Sequence, residues 1–255
     1  LPLIGDDDGG RLLPLGAIRT DFRDTMALGR AVLADRHCGL EREVPAATSW
    51  IVGADRWQEL ASRTVPEPVP RSRAFAAGGC YLLRGGSGSM LVDAGPHGAL
   101  SGGHSHADAL AVELTVGRHA VLADPGTGAY VGPWRDTFRA TAAHSTVTIA
   151  GGIGSAEPAG QFRWGRWPQV TVRHWSEGPG WAALEAEHDG FGRAVPGLVH
   201  RRTVVFRDGW GWLILDRLLG DGVEATVRFQ FGPGLDPVAQ QAIEDQPAPT
   251  ITENH

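Results

Sequence analysis

The segment from Gly103 to Asp108 places three side chains that can bind a metal ion or carry a proton close together. They are His104, His106 and Asp108, which occupy alternate positions. If the segment is one extended strand, alternate side chains point to the same face. Apolar residues continue this parity, so the shared face is expected to become core: Leu110, Val112, Leu114 and Val116. Polar groups that point into a core are costly unless they bind a metal, a substrate or one another. The spacing therefore favours a functional site.

Two further polar residues extend this candidate set. Asp124 follows the apolar run 120–123 and opens an Asp-Pro-Gly turn, and His144 precedes another apolar stretch. A hairpin through the Gly-Arg pair at 117–118 would return the chain beside the histidine strand and bring Asp124 near it. Two histidines and one carboxylate leave coordination positions for water and suit Zn²⁺ or another divalent ion. The plainer alternatives are hydrogen-bonded structural histidines and an aspartate that only initiates a turn.

The elements that must position these residues differ between the two ends of the chain. Helical spacing of apolar residues predicts helices at 17–35 and 54–62, and three prolines within 66–70 predict a stiff linker. After Arg73 the sequence changes to short strands separated by Gly, Pro and Asp, with the clearest hairpin turning at 208–209. We therefore predict an end of a helical domain at 1–63, a linker at 64–73 and a β-sheet domain at 74–255. The even spacing of the strands predicts an antiparallel β-sandwich.

Composition limits the classes of partner. The 255 residues carry a net charge of −6, with 23 basic against 29 acidic residues, and all the basic ones are arginine. This balance argues against nucleic-acid binding. No apolar run approaches the roughly 18 residues that would predict membrane insertion. Cys38 and Cys80 show no paired spacing, so a disulfide framework is not indicated. Nothing in the sequence specifies an oligomeric state.

Several motifs, taken together, resemble the heparinase II/III-like family of polysaccharide lyases. The resemblance runs in order through most of residues 1–235 and rests on these segments: Gly5–Arg11, Asp93–Gly98, Gly103–Leu110, Asp124–Thr127, Trp134–Arg135 and Phe138–Val147. It implies the last helices of an incomplete α/α toroid followed by antiparallel sheets of a supersandwich. It also implies β-elimination on polysaccharides that contain uronic acids, by an enzyme that is periplasmic or secreted.

The resemblance also implies a role for each residue of the candidate set. His104 would be the catalytic histidine, and one zinc ion would be bound by His106, Asp124 and His144. Asp108 is expected to support a ligand by a hydrogen bond. These roles agree with the chemistry of histidine, because a metal-bound imidazole is held neutral while a free one can titrate near neutral pH.

An acidic polysaccharide would need further contacts. Arg139 and Arg135 are candidates for pairing with substrate carboxylates, since a guanidinium forms bidentate pairs with them. Trp134 is a candidate for stacking on a sugar ring, and Tyr130 for lining the cleft. Structural arginines and packing aromatics are the plainer interpretations. The resemblance places the family's catalytic tyrosine before residue 1, so we expect this chain to be a fragment without full activity of its own.

Two other function classes remain open. A cupin-like metal-dependent oxygenase also carries two alternating histidines in a β fold, but its usual third ligand is a glutamate a few residues later. Glu113 is seven residues beyond His106 and has the opposite parity, which argues against this alternative. A non-catalytic carbohydrate-binding or scaffold relative that kept the zinc site is the other alternative.

Overall fold

The computed structural model describes residues 4–7, 23–33, 46–61, 71–86, 88–220 and 222–235. Three helices precede the sheets: α1 (Arg23–Leu33), α2 (Ala46–Val52) and α3 (Ala54–Ala61). Ala27 and Ala31 lie one turn apart on α1 and pack against Val52 of α2. The helix α2 was not predicted from the sequence. Parts of the predicted first helix (17–22 and 34–35) and most of the predicted linker (64–70) fall outside the described residues.

The first sheet is an antiparallel meander in which strands adjacent in sequence are also neighbours in space. Its strands are β1 (Arg73–Phe75), β2 (Cys80–Gly85), β3 (Gly88–Asp93), β4 (Val112–Val116) and β5 (His119–Leu122). The inward residues of β2 and β3 alternate with more exposed ones, as expected for a sheet with one face on a core.

Two small two-stranded sheets and two short helical segments accompany the main sheets. β6 (Val147–Ile149) pairs with β13 (Ala225–Val227), and β7 (Glu157–Gly160) pairs with β8 (Arg163–Arg166). The short helix α4 (Arg135–Phe138) and a 3₁₀ turn at Thr141–Ala143 lie before β6. The β7–β8 hairpin was not predicted.

The second sheet has four antiparallel strands in the order β12-β11-β10-β9. They are β9 (Val170–Gly178), β10 (Trp181–His188), β11 (Val199–Arg207) and β12 (Gly211–Leu219). One core joins the two sheets, with Leu83 and Met90 from the first packed in the same cluster as Leu184, Val204 and Phe206 from the second. The structure is thus mainly antiparallel β and confirms the predicted sandwich.

The predicted strand at 107–116 is wrong in its first half, because β4 begins only at Val112. The backbone turns before it: the Ala111 N–H donates to the Asp108 carbonyl at 2.7 Å, and Leu110 has a φ of +60°. This left-handed conformation is unfavourable for a branched residue, so its surroundings must hold it in place. His104, His106 and Asp108 therefore lie in a loop.

A buried arginine of the second sheet helps to hold that loop. Arg202 on β11 pairs with Asp216 on β12 through two hydrogen bonds of 2.7 and 2.9 Å. Its third nitrogen donates to the carbonyls of Leu110 at 2.7 Å and Ser145 at 2.8 Å. Asp216 also accepts a hydrogen bond from His200 at 2.8 Å. The second sheet is thereby tied to both loops that carry the candidate histidines.

We predict that Arg202→Met lowers the free energy of unfolding by about 3–5 kcal/mol, because it leaves the Asp216 carboxylate buried without its main partner. The matched variant Arg201→Met removes a half-buried arginine from the opposite face of β11, and should cost about 0–1 kcal/mol. Denaturant unfolding followed by circular dichroism measures both. Equal losses of unfolding free energy in the two variants would show that the buried Arg202–Asp216 pair stabilises the fold no more than the contacts of Arg201 do.

The same pair predicts a pH dependence. Burial alone would raise the pKa of Asp216, but hydrogen bonds from His200 and Arg202 outweigh it and hold this pKa well below its usual range. Stabilisation from a lowered carboxyl pKa is complete above the unfolded value near 3.9 and is lost as pH falls through the folded value. The stability gap between wild type and Arg202→Met should therefore be full at neutral pH and narrow below about pH 4.

Candidate metal and catalytic site

Four side chains from three loops converge beside the sandwich. His106 and Asp108 come from the loop between β3 and β4, Asp124 follows β5, and His144 ends the 3₁₀ turn before β6. Each offers one nitrogen or oxygen atom, and these atoms all lie within 4.8 Å of one another. The predicted ligands His106, Asp124 and His144 are thus brought together, and Asp108 joins them in the same group.

The hydrogen bonds of the two histidines determine which ring nitrogen of each is free. His144 Nδ1 lies 2.8 Å from the Ala140 carbonyl, which can only accept, so this nitrogen carries the proton. His106 Nε2 lies 3.1 Å from the Asp6 carboxylate and donates to it in the same way. The two remaining nitrogens, His106 Nδ1 and His144 Nε2, are 3.2 Å apart. Two unprotonated nitrogens therefore face each other.

Carboxylate oxygens point into the same space. Asp124 Oδ1 accepts the Gly126 N–H at 2.7 Å, which fixes the side chain and leaves Oδ2 3.3 Å from His144 Nε2. The Asp108 side chain is buried beside them. When the carboxyl groups are ionised, a space bordered by two nitrogen lone pairs and carboxylate oxygens has acceptors but no hydrogen-bond donor, which is the arrangement that a cation satisfies. The residues present therefore fit a metal ion.

Burial shifts the pKa values of these groups toward their neutral forms. It raises the pKa of Asp124 to about 6, partly opposed by the Gly126 N–H, and it raises that of Asp108 strongly with help from Asp93 and Asp124. It lowers the pKa of His144 to about 3, and lowers that of His106 despite the hydrogen bond to Asp6. Both imidazoles are thus neutral near pH 7, which is the form that binds a metal.

His104 stands apart from this group. Its side chain is 62% exposed, its Nδ1 lies 3.4 Å from the Tyr130 hydroxyl, and the two rings stack at 5.8 Å. Its Nδ1 is also 3.6 Å from Asp6 Oδ2. His104 and His106 line one cavity of about 370 Å³, together with His97 and Asp108. The exposed His104 is therefore placed to meet a molecule in this cavity, while His106 and His144 are buried.

Asp6 is a site residue that the sequence did not reveal. Its buried carboxylate bonds His106 at 3.1 Å and receives both terminal nitrogens of Arg135, at 3.0 and 2.5 Å. The backbone approaches closely at Gly5, where a Cβ would lie 2.7 Å from the His104 carbonyl and where φ is +72°. Gly5 is the sequence feature that could have indicated this close approach.

Arg135 and Arg139, predicted to contact substrate, are 2% and 1% exposed. Arg135 bonds Asp6 and the carbonyls of Tyr130, Gly103 and Gln161. Arg139 bonds the carbonyls of Gln161 and Gly160 and the Asp136 carboxylate. The physical reason for this placement is that irregular loops leave carbonyls without strand partners, and a buried guanidinium can satisfy several of them. In this structure both arginines hold the loops around the site.

The two aromatic candidates are accessible. Trp134 is 65% exposed at the start of α4. Tyr130 contacts His104 and packs against Phe162 at 5.3 Å. Trp164 is buried, and its indole N–H donates to the Gly102 carbonyl.

Comparisons with known proteins agree with this architecture. A family model described as heparinase II/III-like, C-terminal, matches residues 67–250. The fold is similar to that of a heparan sulfate lyase from Pedobacter heparinus, with a TM-score of 0.60 and 21% identity over 91% of this chain. A heparinase III with methylated lysines gives 0.59 and 19% identity over 92% of this chain. This chain spans 31% of the length of either protein. The comparison with curated proteins returned no match.

We predict that Asp6→Asn weakens metal binding by about 10–100-fold, because it removes the carboxylate that orients His106 and keeps its Nδ1 basic. Competition with a chromophoric chelator measures the affinity. Asp136→Asn is the matched control, since Asp136 also pairs with a buried arginine but contacts none of the four converging residues, and its affinity should stay at the wild-type value. Equal affinities for Asp6→Asn and wild type would exclude this role.

Proposed function

Because this chain belongs to the heparinase II/III-like family, we propose that it forms the β-domain side of the active site of a polysaccharide lyase. The substrate class is an acidic glycan that contains uronic acids, and the reaction is β-elimination. The enzyme would be periplasmic or secreted. Among the described residues, no helix is long and apolar enough to cross a membrane.

One observation carries this proposal. A buried group of potential metal-binding atoms, the donor group, lies directly beside the exposed His104 and consists of His106, Asp108, Asp124 and His144. His106 and Asp108 of this group line the same cavity as His104. The donor group supports the zinc assignment, because imidazole nitrogens with carboxylate oxygens are ligands that suit Zn²⁺. We assign the ion to His106, Asp124 and His144. Asp108 either supports these ligands or completes the set, and its burial within the group suits both roles. When bound, zinc would supply fixed positive charge and would join the three loops.

The proposed chemistry requires proton transfer at two atoms of the sugar chain. A base removes the proton from C5, the C4–C5 double bond forms, the C4–O4 bond breaks, and the departing O4 takes up a proton. His104 is the group we assign to proton transfer, since its ring is exposed to the cavity and is not among the converging donors. The Tyr130 hydroxyl at 3.4 Å orients the ring. Trp134 is exposed and remains our candidate for stacking on a sugar.

Asp6 supports the same assignment of roles. Its two oxygens lie close to His106 and His104, so one carboxylate orients the ligand histidine and faces the proton-transfer histidine. The carboxylate–histidine arrangement is a common way to set both the tautomer and the basicity of an imidazole. Two histidines in alternate positions can therefore carry separate roles.

The oxygenase alternative finds no support in the donor group. Glu113 lies on β4, and it is not one of the four residues whose donor atoms converge within the described part of the chain. Burial and Asp124 raise the pKa of Glu113 to about 7, opposed in part by a backbone hydrogen bond.

We predict that His104→Ala lowers turnover by at least about 100-fold, the usual contribution of a proton-transfer group, while bound zinc stays at the wild-type level. Turnover is followed in the complete encoded protein by the ultraviolet absorbance of the new C4–C5 double bond, with heparan sulfate and alginate as substrates. Zinc is measured by elemental analysis. His119→Ala, which removes an exposed histidine on β5, is the control and should leave both quantities unchanged.

His106→Ala and His144→Ala should show the opposite pattern, because each removes a ligand and so loses zinc. If His104→Ala also loses zinc, His104 binds the ion and the roles proposed for the histidines are wrong. If wild type binds zinc and both glycans but forms no unsaturated product, the chain is a carbohydrate-binding relative.

A further inference from the structure

A second cavity, of about 570 Å³, adjoins the first one. Its volume falls within the range of pockets that bind small ligands. The side chains that matter here are Arg166, Trp167, Gln169, Asp189 and Arg193. None of them belongs to the metal group or to the set assigned to proton transfer.

The two cavities share a wall. Pro168 lines the first cavity, while its neighbours Trp167 and Gln169 line the second. The His97 ring lines the first cavity and stacks on Trp167, with centroids 5.9 Å apart and planes 8° from parallel. Trp167 is 40% exposed, so part of its ring remains open beside this stack. A ligand that leaves the first cavity over this wall meets Trp167 next.

One polar side-chain atom on each side of the wall has no hydrogen-bond partner. His97 Nε2 and Arg193 Nη1 are buried and make no hydrogen bond, a property that only Thr48 Oγ1 shares among side-chain atoms of the described residues. Buried polar atoms normally have partners, so an orphan indicates a group that the chain itself does not supply. One of these residues lines each cavity: His97 lines the first and Arg193 the second.

The charges of the second cavity identify the kind of ligand. Arg166 is exposed, and Arg193 uses Nη2 for the Gly154 carbonyl at 3.1 Å and lies 3.8 Å from Glu157. Both arginines line the cavity, and Nη1 of Arg193 makes no hydrogen bond. The acidic lining residue, Asp189, accepts the Gln169 N–H at 2.7 Å and is held there. Guanidinium groups bind carboxylates and sulfates through charge-assisted hydrogen bonds.

We propose that the second cavity is a subsite for a negatively charged sugar residue of a glycan whose chain crosses Trp167 from the first cavity. The anionic group, a carboxylate or a sulfate, pairs with Arg166 and Arg193, and a sugar ring packs on Trp167. The identity of the ligand rests on the proposed lyase function. The subsite itself rests on the shared wall, the orphan atoms and the two arginines.

The test is a dependence of affinity on chain length, measured by calorimetry with the complete encoded protein. The probes are heparin-derived and alginate-derived disaccharides and dodecasaccharides. Arg166→Gln removes one charge-assisted contact and Trp167→Ala removes the ring packing. Each should weaken dodecasaccharide binding by about tenfold and leave disaccharide binding unchanged. Both residues are partly or fully exposed, so neither variant threatens the fold. The matched controls are Arg207→Gln and Trp210→Ala, which alter an exposed arginine and an exposed tryptophan that line neither cavity.

Three outcomes would overturn the inference. The first is wild-type affinity in both subsite variants, and the second is an equal loss of affinity for short and long probes. The third is that neither dodecasaccharide binds to wild type. The lyase proposal is judged separately, by unsaturated product. If the chain binds long probes through Arg166 and Trp167 but forms no product, the subsite stands and the lyase assignment fails. If product forms and the KM for long substrates is the same in wild type and both variants, the subsite fails and the lyase assignment stands.

Discussion

The carboxylate of Asp6 is the group on which the geometry of the site depends. It orients His106, neutralises the buried Arg135 and lies beside His104. Arg135 in turn holds three backbone carbonyls from separate loops. A buried charge that loses its partner is strongly destabilising. Loss of the Asp6–Arg135 pair is therefore expected to disrupt the other contacts of both residues as well. A four-residue segment that reaches across more than 90 positions of the sequence thus fixes the orientation of the loops around the cavity.

Buried arginines replace strand pairing where the chain is irregular. The segments that carry the donor group leave sheet geometry before the key residues, and their carbonyls have no ladder partners. Arg135 and Arg139 satisfy such carbonyls from within the loops, and Arg202 does so from the second sheet. The left-handed conformation of Leu110 survives next to this contact. The sandwich therefore supplies the donors that loop backbone cannot supply for itself, and the position of the site relative to the core follows from them.

Local patterns predicted the parts of the structure that local forces determine. The hairpin of β11 and β12 turns at Asp208–Gly209 as its sequence indicates, because alternation and turn chemistry act over a few residues. The convergence of His106, Asp124 and His144 was expected from the family resemblance. The extended segment that was expected to present His104, His106 and Asp108 is a loop, because β4 begins only at Val112. Contacts of long sequence separation could not be found in this way. Asp6 and His106 are 100 positions apart, and no short pattern distinguishes a buried Asp6–Arg135 pair from a surface turn and a surface arginine.

Differences in burial explain how neighbouring histidines can do different work. In the donor group, burial raises the carboxyl pKa values and lowers those of the imidazoles, so it favours the uncharged form of each group. A cation reverses the balance for the carboxyls, since it favours their ionised form and needs no change in the imidazoles. If a metal ion binds there, it would displace any proton held by the carboxyl groups and would leave the imidazoles of His106 and His144 neutral. His104, two residues from His106, lies largely in solvent and takes no part in that exchange. Its exposed ring is therefore accessible to a molecule in the cavity, while the imidazoles of His106 and His144 are buried.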